Sequence, residues 1–371
     1  MHFFATLTLL PLALAAPAEP LKDTAPEGGL QDALAKAGGA DKASHVYEAG
    51  RFKGFASKLD GKTLDSLQNH PDVEWIEQDS VVNINKYVSQ RGAPWGLGRI
   101  SHREKGSNTY VYDDSAGEGT CAYVIDTGIY TDHEEFGGRA TFLANYIDND
   151  NTDGNGHGTH VAGTIGGSTY GISKKTKLYA VKVLDSNGSG SVSDVTAGMN
   201  FVTEDAPTRN CTKGSVANMS LGGSFSYTLN FTARAIVEAG VFLAVAAGND
   251  ARDAYNDSPA SEPSVCTVGA SDQTDSMAYF SNFGSIVDIF APGVDILSSY
   301  IGGKTATNTL SGTSMATPHI TGLGAYLLTL LGKKSPTELC SYMQSIASSG
   351  VLASVPNGTK NLLAFNGNPS S

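Results

Sequence analysis

Two hydrophobic rhythms divide this chain of 371 residues. Over residues 17–86 the apolar positions come in short pieces among many charges. Val73-Glu74-Trp75-Ile76-Glu77-Gln78-Asp79 alternates apolar and charged as a half-buried strand does. Residues 45–47 and 52–59 read as two more short strands, and 64–69 as a helix. That is a small α+β unit. From Val88 onward continuous apolar runs take over, with strands expected at 122–125, 178–183, 216–219, 241–246 and 264–268. Helical stretches at 192–204 and 231–239 lie between them. Strands alternating with helices imply a mostly parallel sheet covered on both faces. In such sheets ligands bind at the carboxyl ends of the strands. Near the C-terminus an apolar run at 323–331 follows Gly312-Thr313-Ser314-Met315-Ala316-Thr317-Pro318-His319. Proline is tolerated in the first turn of a helix, so Ser314 is expected at the N-terminus of a buried one. Free N–H groups and the helix dipole favour negative charge there.

The first residues carry another signal. The apolar run at 3–16 is too short to span a bilayer, and Ala13-Leu14-Ala15 has the small-residue form of a cleavage site. Residues 1–15 therefore read as a secretory signal peptide rather than a buried N-terminal strand. No later stretch reaches transmembrane length, so a secreted protein with no membrane partner is expected. The position of 16–87 directly after such a leader favours a cleavable pro-segment. Export makes Cys121, Cys211, Cys266 and Cys340 disulfide candidates, and four cysteines allow three pairings. Sequons stand at Asn187, Asn210, Asn218, Asn230, Asn256 and Asn357. The net charge of −12, without any basic run, argues against a nucleic-acid partner.

The candidate chemistry sits at the ends of predicted strands. Asp126 closes Cys121-Ala122-Tyr123-Val124-Ile125, and a carboxylate there needs a partner. Gly156-His157-Gly158-Thr159-His160-Val161-Ala162-Gly163-Thr164 opens a helix with glycines crowding a histidine. Zinc held by His157 and His160 is the poorer reading, because the pair lacks the glutamate of H-E-x-x-H. His160 fits a structural histidine on the buried side. Asp148, Asp150 and Asp153 have the wrong glycine offset for a calcium loop and read as a solvated acidic loop. Ala246-Ala247-Gly248-Asn249 ends another strand and offers an amide donor. Ser220-Leu221-Gly222-Gly223 could present backbone groups to an extended peptide.

Asp126, His157 and Ser314 thus occur in the order Asp, His, Ser, each on a glycine-rich motif. With these motifs the chain resembles the subtilases, and within them the fungal proteinase K-like enzymes, from Ala93-Pro94-Trp95-Gly96-Leu97 nearly to the C-terminus. The resemblance implies a subtilisin-like three-layer domain over 88–371, with a central sheet, helices on both faces and a pro-segment before it. It implies a serine endopeptidase in which Ser314 attacks, His157 transfers the proton, and Asp126 orients the imidazole. Asn249 and the Ser314 N–H would form the oxyanion hole. Substrate would bind as a strand between Ser220, Leu221, Gly222 and the segment near Gly188. Ala246, Ala247 and Gly248 would wall a pocket for a large apolar or aromatic side chain. The disulfides implied are Cys121–Cys211 and Cys266–Cys340, and Val161 replaces the subfamily's free cysteine. A structural Ca²⁺ is implied at the Pro263 and Val265 carbonyls and the Asp288 carboxylate, with no cofactor for catalysis. The pro-segment would act as folding aid and intramolecular inhibitor, released near Tyr87-Val88 from a monomer. One departure is Asp257, where the subfamily often has an aromatic residue, which leaves the pocket's taste for basic side chains open. An esterase would need a G-x-S-x-G elbow and the order Ser, Asp, His. A binding protein on the same scaffold should have lost one of the four site residues.

Overall fold

The computed structural model describes residues 2–7, 29–50, 52–79 and 87–371. Contacts divide it into two compact units, 1–84 and 85–371. In the first, a four-stranded sheet runs in the order Ala43–Ala49, Phe52–Ser57, His2–Leu7, Val73–Gln78. Helices Gly29–Lys36 and Gly61–Gln68 contribute Leu30, Ala33, Leu34 and Leu67 to a core shared with Phe55. Asp60 starts the second helix by accepting from the Thr63 N–H at 2.8 Å, an N-cap. His2–Leu7 pairs in parallel with both neighbours. The stretch read as part of a leader is therefore an inner strand here, where two flanking strands satisfy its peptide groups. Residues 8–15, with the expected cleavage site, and 81–86, before the expected maturation point, lie outside the described residues.

The second unit is built on nine strands among the described residues. Their order is Ser348–Ser349, Leu362–Leu363, Ile289–Pro292, Cys266–Ser271, Phe242–Ala246, Gly214–Met219, Thr120–Asp126, Lys177–Lys182, Ala140–Asn145. All neighbours are parallel except the first pair. The inner strands are buried on both faces, which explains why they read as unbroken apolar runs. Helices Thr313–Leu331 and His157–Gly166 pack on one face with Val124, Leu178, Ile320 and Leu323. On the other, Val192–Asp205 and Tyr227–Glu238 enclose Tyr123, Val181, Met199 and Ile236. Disulfides join Cys121 to Cys211 and Cys266 to Cys340.

After Thr120–Asp126 the chain builds outward on one side; from Gly214–Met219 it builds on the other. The strand order reverses between those two, so their carboxyl ends border the crevice where such folds bind ligands.

Candidate active site

Asp126 ends one of these strands and is fully buried. One carboxylate oxygen accepts from the Thr127 N–H at 2.7 Å and stands 2.8 Å from His157 Nδ1. His157 is the first residue of its helix, and glycine is what lets it come so close. A methyl group on Gly158 would lie 2.1 Å from the Gly128 carbonyl oxygen, and one on Gly156 2.4 Å from the Tyr300 ring. Gly156 also has φ +103°, a conformation that disfavours any side chain.

Asp153 holds this corner together, a role the reading of a solvated acidic loop missed. It is buried and accepts from Thr127 Oγ1 at 2.8 Å, Gly156 N at 2.8 Å, Thr159 N at 2.9 Å and Thr159 Oγ1 at 2.6 Å. The carboxylate thus caps the His157 helix and ties it to the loop after Asp126. The signal in the sequence was its place just ahead of a helix start. Buried Lys182 supports the same loop, donating to the Thr127 carbonyl at 3.0 Å. Burial opposes the charged form of His157. The charge and hydrogen bond of Asp126, with the charge of Asp153 behind, outweigh it and raise the His157 pKa above its ordinary value. His160 is fully buried, its Nε2 2.9 Å from the Ile296 carbonyl, and burial pushes its pKa down to about 4. It is the structural histidine expected.

Ser314 is the second residue of helix Thr313–Leu331. Pro318 lies inside this helix rather than in its first turn, and its missing N–H leaves the Ser314 carbonyl without an i+4 donor. Ser220 Oγ fills that gap, donating to the Ser314 carbonyl at 2.7 Å. In return Ser314 Oγ donates to the Ser220 carbonyl at 3.1 Å. Behind them Thr321 Oγ1 donates to Asn218 Oδ1 and Asn218 Nδ2 to Ser220 Oγ, a buried chain fixing the helix start. Among the described residues no hydrogen bond joins Ser314 Oγ to His157. Thr313 N and Oγ1 donate to Asn249 Oδ1 at 2.8 and 2.9 Å, which orients that amide. Its Nδ2, like the Ser314 N–H, finds no acceptor among the described residues.

A groove of about 550 Å³ is lined by His157, Gly188, Ser220, Leu221 and Gly222, with Asn155 and Leu184 added to the expected set. Ala246, Ala247 and Gly248 do not line this groove and belong to the next strand end. Asp288, expected to bind a metal, accepts from Lys360 Nζ at 2.8 Å and Gln344 Nε2 at 3.3 Å through one oxygen. The other accepts from the Thr267 N–H at 3.0 Å.

Comparison with known proteins decides the family. Residues 117–365 match the subtilase family, and 24–85 match the peptidase inhibitor I9 family. The chain belongs to the subtilase family. It is 55% identical to a cuticle-degrading protease of Metarhizium anisopliae, covering 99% of this chain and all of that protein. It is 54% identical to proteinase R of Parengyodontium album, over 93% of this chain and 87% of that one. The solved structure of a cold adapted subtilisin-like serine proteinase aligns with TM-score 0.69 at 43% identity, over 74% of this chain and 98% of the other. This subtilase is a serine endopeptidase of the proteinase K-like kind, made with an intramolecular pro-segment.

Proposed function

We propose that Ser314 is the nucleophile, His157 the general base and then acid, and Asp126 the group that orients the imidazole. The observation that carries this is the 2.8 Å bond from buried Asp126 to His157, beside a groove that also holds Ser220, the hydrogen-bond partner of Ser314. With Nδ1–H given to Asp126, Nε2 is left as the acceptor a serine hydroxyl needs. The step requires the Ser314 hydroxyl to leave the Ser220 carbonyl for that nitrogen, and such bonds tighten when substrate arrives. Attack on the peptide carbonyl gives a tetrahedral oxyanion, received by Asn249 Nδ2 and the Ser314 N–H, two donors with no acceptor among the described residues. The imidazolium then protonates the leaving amine, and water hydrolyses the acyl-enzyme.

The substrate lies as an added strand between Ser220-Leu221-Gly222 and Gly188. The side chain before the scissile bond enters a pocket walled by Ala246, Ala247 and Gly248, whose small side chains leave room for large apolar groups. Casein hydrolysis by the processed protein should be abolished by a serine-directed covalent inhibitor. Hydrolysis that survives full modification excludes the mechanism.

We read residues 16–87 as the segment removed on maturation, leaving a secreted monomer from Val88. The pairing of Tyr87–Arg91 with Thr109–Asp113 supports a cut near that point, since the new N-terminus would stay tied to a strand. We read residues 1–15 as a leader removed on export, ahead of that segment. Mass spectrometry of the secreted protein decides this by its first residue.

The oxygen donors of Pro263, Val265 and Asp288 suit Ca²⁺ in kind, and the ion would tie the strand Cys266–Ser271 to Asp288. Lys360 competes for the same carboxylate. Chelation should therefore lower the melting temperature, and more so in Lys360→Met, where the rival cation is gone. Equal melting with and without chelator in both proteins rules calcium out.

A further inference from the structure

Asp257 places a buried carboxylate beside Gly248, one wall of the pocket proposed above, and its partners are well defined. The short strand Asp257–Ser258 pairs antiparallel with Gly223–Ser224, directly after the substrate-binding segment. On the other side, a methyl group on Gly248 would lie 3.5 Å from Asp257 Oδ2 and 2.3 Å from Asn282 Nδ2. The carboxylate thus sits between the two walls, and only 6% of the residue is exposed. Arg252 reaches it with both ends of its guanidinium: Nη2 donates to Oδ1 at 2.5 Å and Nε to Oδ2 at 3.3 Å. Asn282 Nδ2 donates to Oδ2 at 2.8 Å and to the Ala247 carbonyl at 2.9 Å. Asn282 Oδ1 accepts from the Asp250 and Arg252 N–H groups, so one amide fixes both the wall and the loop that carries the arginine.

A buried carboxylate must be paired or lose its charge. Here the arginine supplies the pairing from the solvent side, its own side chain about half exposed. We propose that Arg252 is a specificity-determining residue: by neutralising Asp257 from behind, it leaves the pocket to uncharged side chains. A substrate lysine or arginine entering the pocket would meet a carboxylate already satisfied, and beside it a like charge. Without Arg252, the same carboxylate would be unpaired and would draw a basic side chain in. Without Asp257, Arg252 would keep Asp250, 3.4 Å away at the surface, as its one acidic partner among the described residues, and would favour an acidic side chain instead.

This proposal rests on the endopeptidase reading and on the pocket assigned above, and its test keeps the two apart. Peptide anilides that differ only in the residue before the scissile bond (Phe, Lys, Glu) would be assayed with the processed enzyme, Arg252→Gln, Asp257→Asn and the double variant. The unaltered enzyme should prefer Phe; no cleavage of any substrate would overturn the endopeptidase reading itself. In Arg252→Gln the Lys-to-Phe ratio of kcat/KM should rise roughly tenfold or more, as a buried carboxylate left without its counter-charge predicts. In Asp257→Asn the Glu-to-Phe ratio should rise instead, and the double variant should return both ratios to the original. Should one single variant fail to fold, the other decides. A ratio unchanged within about threefold in a folded single variant overturns the role of Arg252.

Discussion

The hydrogen bond between Asp126 and His157 sets both the tautomer and the basicity of the histidine proposed as general base. Because the pKa of His157 is raised above the ordinary 6.5, and only neutral imidazole can accept the serine proton, kcat/KM should climb with pH through a midpoint above that value. Asp126→Asn removes the charge and stops favouring the useful tautomer. The acid limb should then move to lower pH while kcat falls by about 10⁴, the loss measured for the same change in a chymotrypsin-type triad. A pH-rate profile of the variant checks both effects, and an acid limb left in place would refute the stated cause of the shift. Ser314 shows what a sequence hides at this scale. Its glycine-rich setting was legible, but its hydroxyl rests on the Ser220 carbonyl, and that partner is 94 residues away.

At the scale of elements, the glycine motifs and apolar runs made most of the sheet readable, because inner strands buried on both faces leave no polar interruption. Thr120–Asp126, Lys177–Lys182, Gly214–Met219 and Phe242–Ala246 all fall within two residues of their expected places. Ala140–Asn145 was not foreseen: it is an edge strand, half exposed, with a register shift between Phe142 and Ala144 that blurs its pattern. Nor was the work of Asp153, since capping a helix and bridging to Thr127 are tertiary facts. In Asp153→Ala five donors lose their acceptor. Denaturant unfolding of the inhibitor-blocked variant should show a loss of about 2–4 kcal/mol, as for other buried charged hydrogen-bond networks. His157 should also titrate lower, because the Asp153 charge no longer supports its imidazolium. Stability within about 0.5 kcal/mol of the parent would mean the cap is redundant.

Over the whole molecule, two buried histidines contribute to the acid edge of stability. His160 and His319 are buried, and burial pushes the pKa of each down to about 4. The unfolded chain takes up these protons near 6.5, whereas the folded chain refuses them until about 4. Their contribution is therefore intact above pH 6.5 and is lost as pH falls through that window. Melting temperatures of the inhibitor-blocked protein should decline between these limits, and His319→Gln should flatten the decline. A flat curve for the parent would show that protonation of these sites does not govern unfolding. The central claim is that distant parts of this one fold make the Ser314 hydroxyl reactive toward amides. It is met most directly by titrating the processed protein with a fluorophosphonate and mapping the adduct. The account predicts one adduct per chain, on Ser314, appearing in step with the loss of peptide hydrolysis and strongly slowed in His157→Ala. Complete inactivation with Ser314 unmodified, or hydrolysis persisting once it is fully modified, would contradict it.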